Sequence, residues 1–411
     1  MSSLHDVDFY KDTAGQIIHA HHPDDVVTFE LIVRTPDIRM ADVIPEADLR
    51  AAMDAARALE ADAEVLAYMR NFTIAGQRIF TAPYLAFLES LRLPPYDLTL
   101  HDGSYSLRFT GPWPCVTRWE TIALAVLSEL YNRAVMRMIP NDEHEAVYQR
   151  AMDLLERKLD TLAERPGIVF SDFGHRRRHS LLWQKWAVAR AAERLGPRFT
   201  GTSDVLLAFE LGLPPVGTSP HEWPMVLTAL QDTDTDVRHA QYLALELWQQ
   251  MYGDALQVFL PDTYGSAQFF ANAPSWLVRW KGQRQDSGEP IDEGERYIVW
   301  LESHGEDPAA HLTVFSDGLD VDAMIAIDRH FGTRQPHPFG WGTLLVNDFR
   351  GCHPQPLLRP ISMVCKVTAV NGRPVVKVPN DLSKATGDAN EVQRYLRIFG
   401  AGDRSRRHVT V

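Results

Sequence analysis

The sequence predicts an α/β fold in which a parallel sheet is covered by helices, joined to a second, β-rich part. Three observations support this prediction. From about residue 165, short apolar runs end in an acid or a glycine; helical stretches follow several of these runs; and β-forming segments occur near both ends of the chain. Alternating strands and helices are typical of a parallel sheet with a helical cover.

Five segments have the pattern of a short strand followed by a polar tip. They are GIVFSDFG (167–174), LQVFLPDTYG (256–265), RWKGQRQDSG (279–288), LTVFSDGLD (312–320) and FGWGTLLVND (339–348). Ligands bind at the carboxyl ends of the strands in barrels of this kind, so these tips predict one shared site. Each tip taken alone is equally consistent with an Asp or Gly that merely ends a strand.

Apolar spacing predicts the helices, and β-formers predict the remaining strands. One helix is expected over 45–71, where Leu49, Met53, Ala56 and Leu59 share a face, and a buried helix over 117–139. Further helices are predicted over 178–196, 236–253 and 320–332. Strands are predicted over 26–34 and 107–113, and residues 363–378 read as two strands around an Asn-Gly turn.

Composition excludes several classes of protein. The 411 residues carry 41 Lys+Arg against 54 Asp+Glu, a formal charge of −13, which argues against a general binder of nucleic acid or of anionic membranes. The three cysteines show no CxxC spacing, so neither a disulfide scaffold nor a structural zinc site is expected. The N-terminus lacks the apolar core of a signal peptide, and a cytoplasmic protein is predicted.

Several polar residues at the predicted tips have chemistry suited to a ligand site. Asp286 and Asp317 could hold Mg²⁺, bind sugar hydroxyls or stabilise an oxocarbenium ion, or they could simply cap turns. The arginines at 176–178 form either a focus for phosphate and carboxylate or a solvated helix start. His221 could be a base, a nucleophile, a metal ligand or a structural residue.

Two glycine-containing segments could bind an anion. FGWGT (339–343) could direct backbone N–H groups at a phosphate, or could be only a turn. GTS (201–203) precedes a predicted helix, so it could present free N–H groups or serve as a plain N-cap. The residues alone leave both alternatives open.

Nine segments occur in the order found in nicotinate phosphoribosyltransferases. They are DFYK (8–11), SDFGHRRRHS (171–180), GTSDVLLA (201–208), GTSPHEW (217–223), LPDTYG (260–265), RQDSGEP (284–290), FSDGLD (315–320), FGWGTLLVND (339–348) and KVTAVNGRPVVKV (366–378). No single segment is specific, but their order over residues 8 to about 395 is. The chain therefore resembles this family across nearly its whole length.

The resemblance implies an irregular (β/α) barrel with a second α+β domain built from both ends of the chain. On this basis we expect an α+β domain over 1–140, completed by 360–411, and a barrel over 141–359. The implied reaction joins nicotinate to phosphoribosyl pyrophosphate, giving nicotinate mononucleotide and pyrophosphate. It is coupled to ATP hydrolysis through a phosphorylated histidine and requires Mg²⁺. A homodimer with its active site at the interface is also implied.

The resemblance assigns residue roles by position in the motifs. Phe173, with Tyr10 from a second subunit, would sandwich the pyridine ring, and His221 would be phosphorylated by ATP. Asp286 and Asp317 would be catalytic, contacting ribose and the magnesium-bound pyrophosphate. Arg176 and Arg284 would contact the nicotinate carboxylate and phosphates, and the segment from Gly340 to Thr343 the 5′-phosphate. The expected substrate-binding residues are Tyr10, Phe173, Arg176, Ser203, Arg284, Ser287, Gly318, Gly340, Gly342 and Thr343.

Three alternatives remain open beside the nicotinate activity: a nicotinamide enzyme, a quinolinate enzyme, and an inactive ligand-binding homologue. Ser203 argues against nicotinamide, because the nicotinamide enzymes resemble GTD here and an Asp would accept from an amide but repel a carboxylate. His175, Pro220 and Trp341 depart from the residues usual in the family. Each departure keeps the backbone pattern of its motif.

Overall fold

The computed structural model describes residues 3–35, 37–354 and 358–400. Its strands, in chain order, are β1 Val26–Val33, β2 Thr73–Ile74, β3 Gln77–Arg78, β4 Tyr96–His101, β5 Ser104–Pro112, β6 Phe170–Asp172, β7 Phe199–Thr202, β8 Val258–Phe259, β9 Gly282–Gln285, β10 Leu312–Phe315, β11 Phe339–Trp341, β12 Met363–Val370 and β13 Arg373–Pro374.

The α-helices are α1 Phe9–His21, α2 Met40–Val43, α3 Glu46–Arg57, α4 Ala63–Asn71, α5 Ala82–Ser90, α6 Trp113–Val116, α7 Trp119–Arg137, α8 His144–Ala163, α9 Leu181–Leu195, α10 Val205–Leu211, α11 Glu222–Ala229, α12 Asp234–Tyr252, α13 Ser266–Asn272, α14 Pro290–Ser303, α15 Val321–Phe331, α16 Thr343–Val346 and α17 Ala389–Phe399. In the described ranges, no helix combines the length and the apolar character needed to cross a membrane.

An antiparallel sheet joins the two ends of the chain. Its strand order is β13-β12-β1-β5-β4, so β1 lies between β5 and the late strand β12. The predicted Asn-Gly turn connects β12 to β13, with φ of 49° at Asn371 and 78° at Gly372. Two successive positive φ values suit this dipeptide in a tight hairpin. The β-rich part thus contains both early and late segments, as expected; residues 401–411 lie outside the described residues.

The second sheet is parallel and carries the predicted tips. Its order is β7-β6-β11-β10-β9-β8, and every pairing in it is parallel, so the carboxyl ends of all six strands lie along one edge. Phe170, Phe315, Phe339 and Trp341 fill the core beneath it. The edge strands β7 and β8 are not paired with each other in the described chain; loops after them meet instead, through His221 and Thr263. The α/β fold class with a separate antiparallel part is confirmed.

One predicted helix is divided in two. The sequence predicts a single helix over 45–71, but α3 ends at Arg57 and α4 starts at Ala63. Asp62 caps α4 by accepting from the backbone N–H groups of Glu64 and Val65. These hydrogen bonds to Asp62 favour the start of a new helix at Ala63 over a continuous helix through residues 58–62.

Candidate active site

The carboxyl-terminal edge of the parallel sheet brings the predicted site residues together. Phe173 follows β6, Ser203 follows β7, Asp286 follows β9 and Asp317 follows β10. Each of these strands is short, and all of them pair in parallel, so the first residues after each strand emerge on the same edge. The predicted shared edge is therefore present in the fold.

At the β6–β7 end, one buried carboxylate connects two of the predicted substrate-binding residues. Asp8 is 1% exposed; its Oδ1 accepts from Ser203 Oγ at 2.5 Å, and its Oδ2 lies 3.1 Å from Arg176 Nε. The Arg176 guanidinium lies 5.6 Å from the centre of the Tyr10 ring. The arginine side chain is still 34% exposed, which leaves its outer nitrogens available to an anion.

The N-terminal segment delivers Tyr10 to this place within one chain. Phe9 N donates to Ser203 O at 2.6 Å, and Val205 N donates to Val7 O at 3.1 Å, so residues 5–9 run alongside the start of α10. The resemblance implied that Tyr10 reaches the site from a second subunit. In this chain its own Tyr10 already lies beside Arg176, because those backbone hydrogen bonds fix the preceding residues.

Ser203 is not the N-cap considered for the GTS segment. The cap of α10 is Asp204, whose Oδ1 accepts from Leu207 N at 3.1 Å. The Ser203 hydroxyl donates to Asp8 instead. Ser203 is consequently tied to the Arg176 pocket rather than to the helix.

The Phe173 ring packs against a glycine of the neighbouring strand. Gly340 lies within β11, and a Cβ placed on it would come 2.3 Å from the Phe173 ring. Phe173 N also donates to Trp341 O at 2.9 Å. Gly340 therefore makes room for the aromatic ring, while Gly342 and Thr343 form the loop that begins α16.

Of the three consecutive arginines at 176–178, Arg178 has a structural role. Arg178 is fully buried and binds Asp6 through two hydrogen bonds of 2.5 and 2.7 Å, so neither the solvated helix start nor a ligand role fits it. The helix begins only at Leu181, with Ser180 as its cap. His175, one of the departures, is also buried, and its Nδ1 lies 2.7 Å from Asp204 Oδ2.

His221 lies at the start of α11 against residues that follow β8 and β9. Its Nε2 is 3.0 Å from Asp286 Oδ2 and 3.5 Å from Asp262 Oδ1, and its Nδ1 is 3.0 Å from Thr263 Oγ1. Ser287 Oγ donates to Asp262 Oδ2 at 2.6 Å. The structure thus brings His221, Asp286 and Ser287 together and adds Asp262, which belongs to the segment LPDTYG (260–265).

The charges of this group are set by burial and by each other. Burial, followed by the nearby Lys377, lowers the pKa of His221, so the imidazole is neutral at pH 7. Burial alone would raise the pKa of Asp286, but Arg284 and His221 hold it well below its ordinary value. A neutral imidazole beside an ionised carboxylate retains a nucleophilic nitrogen.

Two lysines of the C-terminal segment complete this end of the site, and sequence reasoning missed both. Lys384 Nζ lies 2.6 and 2.7 Å from the two carboxylate oxygens of Asp317. Lys377 is 6% exposed, and burial lowers its pKa to about 8 despite the attraction of Asp262 and Asp286. No motif in the segment KVPNDLSK (377–384) marks the two lysines as partners of the acids at the strand tips.

Cations predominate where the Asp317 side chain lies. Burial and the neighbouring Arg176 and Arg34 lower the pKa of Arg177 to about 10, and it stays protonated at pH 7. Burial lowers the pKa of Arg34 as well, while the negative charges of Asp381 and Asp317 act to raise it. Crowded arginines and lysines at a strand-end edge suit a ligand carrying several negative charges.

Comparison with known families supplies the identity of this arrangement. The model of the "Nicotinate phosphoribosyltransferase (NAPRTase) family" matches residues 168–402, more than half of the chain. The model of the family's N-terminal domain matches residues 5–128. The chain belongs to the NAPRTase family. It is thus a phosphoribosyltransferase, and the resemblance inferred from nine short motifs is confirmed.

Solved structures extend the NAPRTase match to the whole fold. The crystal structure of nicotinate phosphoribosyltransferase from Porphyromonas gingivalis is 27% identical, with a TM-score of 0.86, and the alignment covers 97% of this chain and 100% of that chain. The enzyme of the same name from Vibrio cholerae is 29% identical, with a TM-score of 0.84, over 97% of this chain and 93% of that chain. The irregular barrel and its companion domain are those of this family.

Proposed function

We propose that this protein joins nicotinate to phosphoribosyl pyrophosphate, forming nicotinate mononucleotide and pyrophosphate, and that ATP drives the reaction through phosphorylation of His221. The main support for this proposal is that one edge of the sheet has Arg176 next to Tyr10 and a neutral His221 next to Asp286. Family membership supports the transferase part of this proposal.

The pocket formed by Tyr10, Arg176 and Ser203 would hold nicotinate. The exposed guanidinium nitrogens of Arg176 can bind a carboxylate as a planar fork, while its Nε remains with Asp8. Tyr10 and the ring of Phe173 offer aromatic faces for a flat heterocycle. An amide lacks the charge to bind Arg176 as strongly, which favours nicotinate over nicotinamide.

The cation-rich end would hold the phosphates of the donor. Lys384, Lys377 and Arg177 can neutralise the pyrophosphate that leaves, and stabilisation of that leaving charge lowers the barrier to breaking the glycosidic bond. Arg284, Ser287, Gly318, Gly342 and Thr343 would contact the remainder of the donor. Asp286 and Asp317 would face the ribose, where carboxylates stabilise positive charge developing at the anomeric carbon.

The residues also fit a Mg²⁺ ion carried by the donor. One ligand atom from each of His221, Asp262 and Asp286 lies within 4.8 Å of the others, and the Asp262 and Asp286 carboxylates are the hard oxygen donors that Mg²⁺ prefers. Asp262 Oδ1 is buried and accepts no hydrogen bond from the part of the chain described. A bound Mg²⁺ would neutralise the charge of the pyrophosphate.

The test mixes the purified protein with nicotinate, phosphoribosyl pyrophosphate and Mg²⁺, with and without ATP, and follows nicotinate mononucleotide and ADP. We expect product to rise strongly with ATP, with ADP formed alongside. His221→Ala should abolish ADP formation but leave slow transfer at high donor concentration. Equal loss of both activities in that variant would remove His221 from the coupling role.

Two other outcomes would change the proposed function. Product formed from nicotinamide or quinolinate but not from nicotinate would assign a different pyridine substrate. No product from any of the three would favour an inactive homologue. The homodimer implied by the resemblance stays a prediction, and light scattering of the purified protein would measure it.

A further inference from the structure

A buried ion cluster links the two ends of the proposed site. It consists of Lys11, Glu120 and Glu222, with Thr117, Trp113, Lys366 and Arg176 around them, and it is named here the Lys11 cluster. Lys11 follows Tyr10 in α1, Glu222 follows His221 in α11, and Glu120 lies in α7. Lys11 is 0% exposed, and the two glutamates are 3% and 4% exposed.

Lys11 contacts both carboxylates at once. Its Nζ lies 2.5 Å from Glu222 Oε2 and 2.6 Å from Glu120 Oε2, and it also donates to Thr117 Oγ1 at 3.1 Å. The ordinary role of such a cation is to balance buried negative charge. Here the two carboxylates belong to different ends of the site, which makes the ammonium a bridge as well as a counter-ion.

The Glu222 side chain fixes the helix that starts beside His221. Its Oε1 accepts from Trp113 Nε1 at 2.5 Å, and its Oε2 accepts from Thr117 Oγ1 at 2.9 Å in addition to Lys11. With both oxygens occupied, Glu222 has little freedom to move. The position of His221, one residue earlier in the chain, depends on that anchor.

The Glu120 side chain connects the same lysine to the pyridine pocket. Its Oε1 accepts from Lys366 Nζ at 3.1 Å and lies 3.9 Å from Arg176 Nη1. A carboxylate that arrives at Arg176 competes with Glu120 for that guanidinium. Lys11 and Lys366 are the cations that then balance Glu120. Because Lys11 also holds Glu222, a change in the charge of the pocket reaches Glu222 through Lys11.

We propose that Lys11 is a positioning residue which, acting through Glu222, ties His221 to the occupancy of the pyridine pocket and thereby keeps ATP hydrolysis in step with product formation. This inference rests on the proposed function. Coupling between two sites needs a physical connection that both ligands affect, and the Lys11 cluster supplies one through successive contacts between charged side chains.

The experiment compares Lys11→Met, Glu222→Gln and the double variant with the wild-type protein. Glu222→Gln keeps the size of the side chain and leaves Lys11 paired with Glu120, so it guards against failure of Lys11→Met to fold. The measured quantity is ADP formed per nicotinate mononucleotide at saturating substrates. We expect it to rise roughly fivefold or more in each single variant. The double variant should rise no further, because both changes remove the same connection.

Arg118→Met is the matched control. Arg118 pairs with Asp12, so this buried ion pair also joins α1 to the start of α7, but it contacts neither Glu222 nor Arg176 among the described residues. It should lower the melting temperature, as Lys11→Met does, and leave the ratio of ADP to product unchanged. A ratio that rises in Arg118→Met as well would overturn the specific role of Lys11.

Three further outcomes are decisive. An unchanged ratio in both single variants would reduce the cluster to a stabilising one, and additive effects in the double variant would show that Lys11 does not act through Glu222. A wild-type protein that makes product without ADP would remove the coupling itself. That last result is read on the wild type alone, so failure of the proposed function is distinguished from failure of this inference.

Discussion

Ser203 lies where a single substitution can test the preference for an acidic substrate. Its hydroxyl donates to Asp8, which in turn holds Arg176. Ser203→Asp would place two carboxylates against each other, and both would compete with the substrate carboxylate for Arg176. We expect the KM for nicotinate to rise at least tenfold, or about 1.4 kcal/mol, and activity with nicotinamide to fall less.

Steady-state assays with both pyridines measure this effect, and Ser203→Ala is the control. The alanine variant loses the hydrogen bond to Asp8 without adding charge, so it should weaken nicotinate binding only a few-fold. If Ser203→Asp lowered nicotinamide use more than nicotinate use, Ser203 would not be the selector.

Lys384 offers a test of the donor end. Lys384→Met leaves Asp317 without its ion pair and removes one positive charge from the proposed pyrophosphate site. We expect the KM for phosphoribosyl pyrophosphate to rise about tenfold or more, with the KM for nicotinate nearly unchanged, because the lysine belongs to only one end of the site. Lys281→Met is the control: this exposed lysine precedes β9, at the opposite edge of the sheet. Equal changes in both KM values would contradict the assignment of Lys384.

At the scale of elements, the contact between β11 and Phe173 requires a residue without a side chain at position 340. Gly340→Ala would force the Phe173 ring to move, because the new Cβ would lie 2.3 Å from it. We expect the KM for nicotinate to rise several-fold while the KM for the donor changes little. Phe173→Leu in the same background should reduce the effect of the alanine, since a smaller, flexible side chain can move aside. Unchanged nicotinate kinetics in Gly340→Ala would separate Phe173 from the pyridine pocket.

The elements that could be predicted from sequence are those with a strong local signal. The strands before the polar tips, the Asn-Gly hairpin and the helices α9, α12 and α15 follow periodicity and turn chemistry, so their positions match within a few residues. The division of the 45–71 helix was missed, because the apolar spacing continues through the break. Its cause, the cap formed by Asp62, competes with that pattern only once the chain is folded.

At the scale of the whole molecule, the missed site residues share one property. Asp8, Lys377 and Lys384 come from chain ends that tertiary structure lays across the strand tips, and no motif marks them as partners of Ser203 or Asp317. Residues on the tips could be predicted because parallel strands place them on one edge. The groups that tune their charge could not, since a pairing across 67 residues, as between Lys384 and Asp317, or across 195 residues, as between Asp8 and Ser203, leaves no local pattern.

The buried cluster of Asp6, His175, Arg178 and Asp204 attaches the N-terminal segment to the barrel and makes its attachment dependent on pH. Burial and the nearby Asp6 raise the pKa of Asp204 to about 7. Burial alone would lower the pKa of His175, but Asp204 holds it above its ordinary value. In the folded protein this pair therefore retains protons that the unfolded chain has already released.

Stability from this cluster consequently falls as the pH rises, with a slope of at most about 1.4 kcal/mol per pH unit for each proton retained. We expect the melting temperature to decline between pH 5 and pH 7.5 more steeply in the wild type than in Asp204→Asn, because the folded-state pKa of Asp204 is about 7 and that of an unfolded Asp well below 5. Asparagine still caps α10 but cannot share the proton, and His175 loses the carboxylate that raised its pKa. Comparing the two proteins cancels the titration of the other buried histidines. Parallel melting curves over this range would show that the pair titrates outside it.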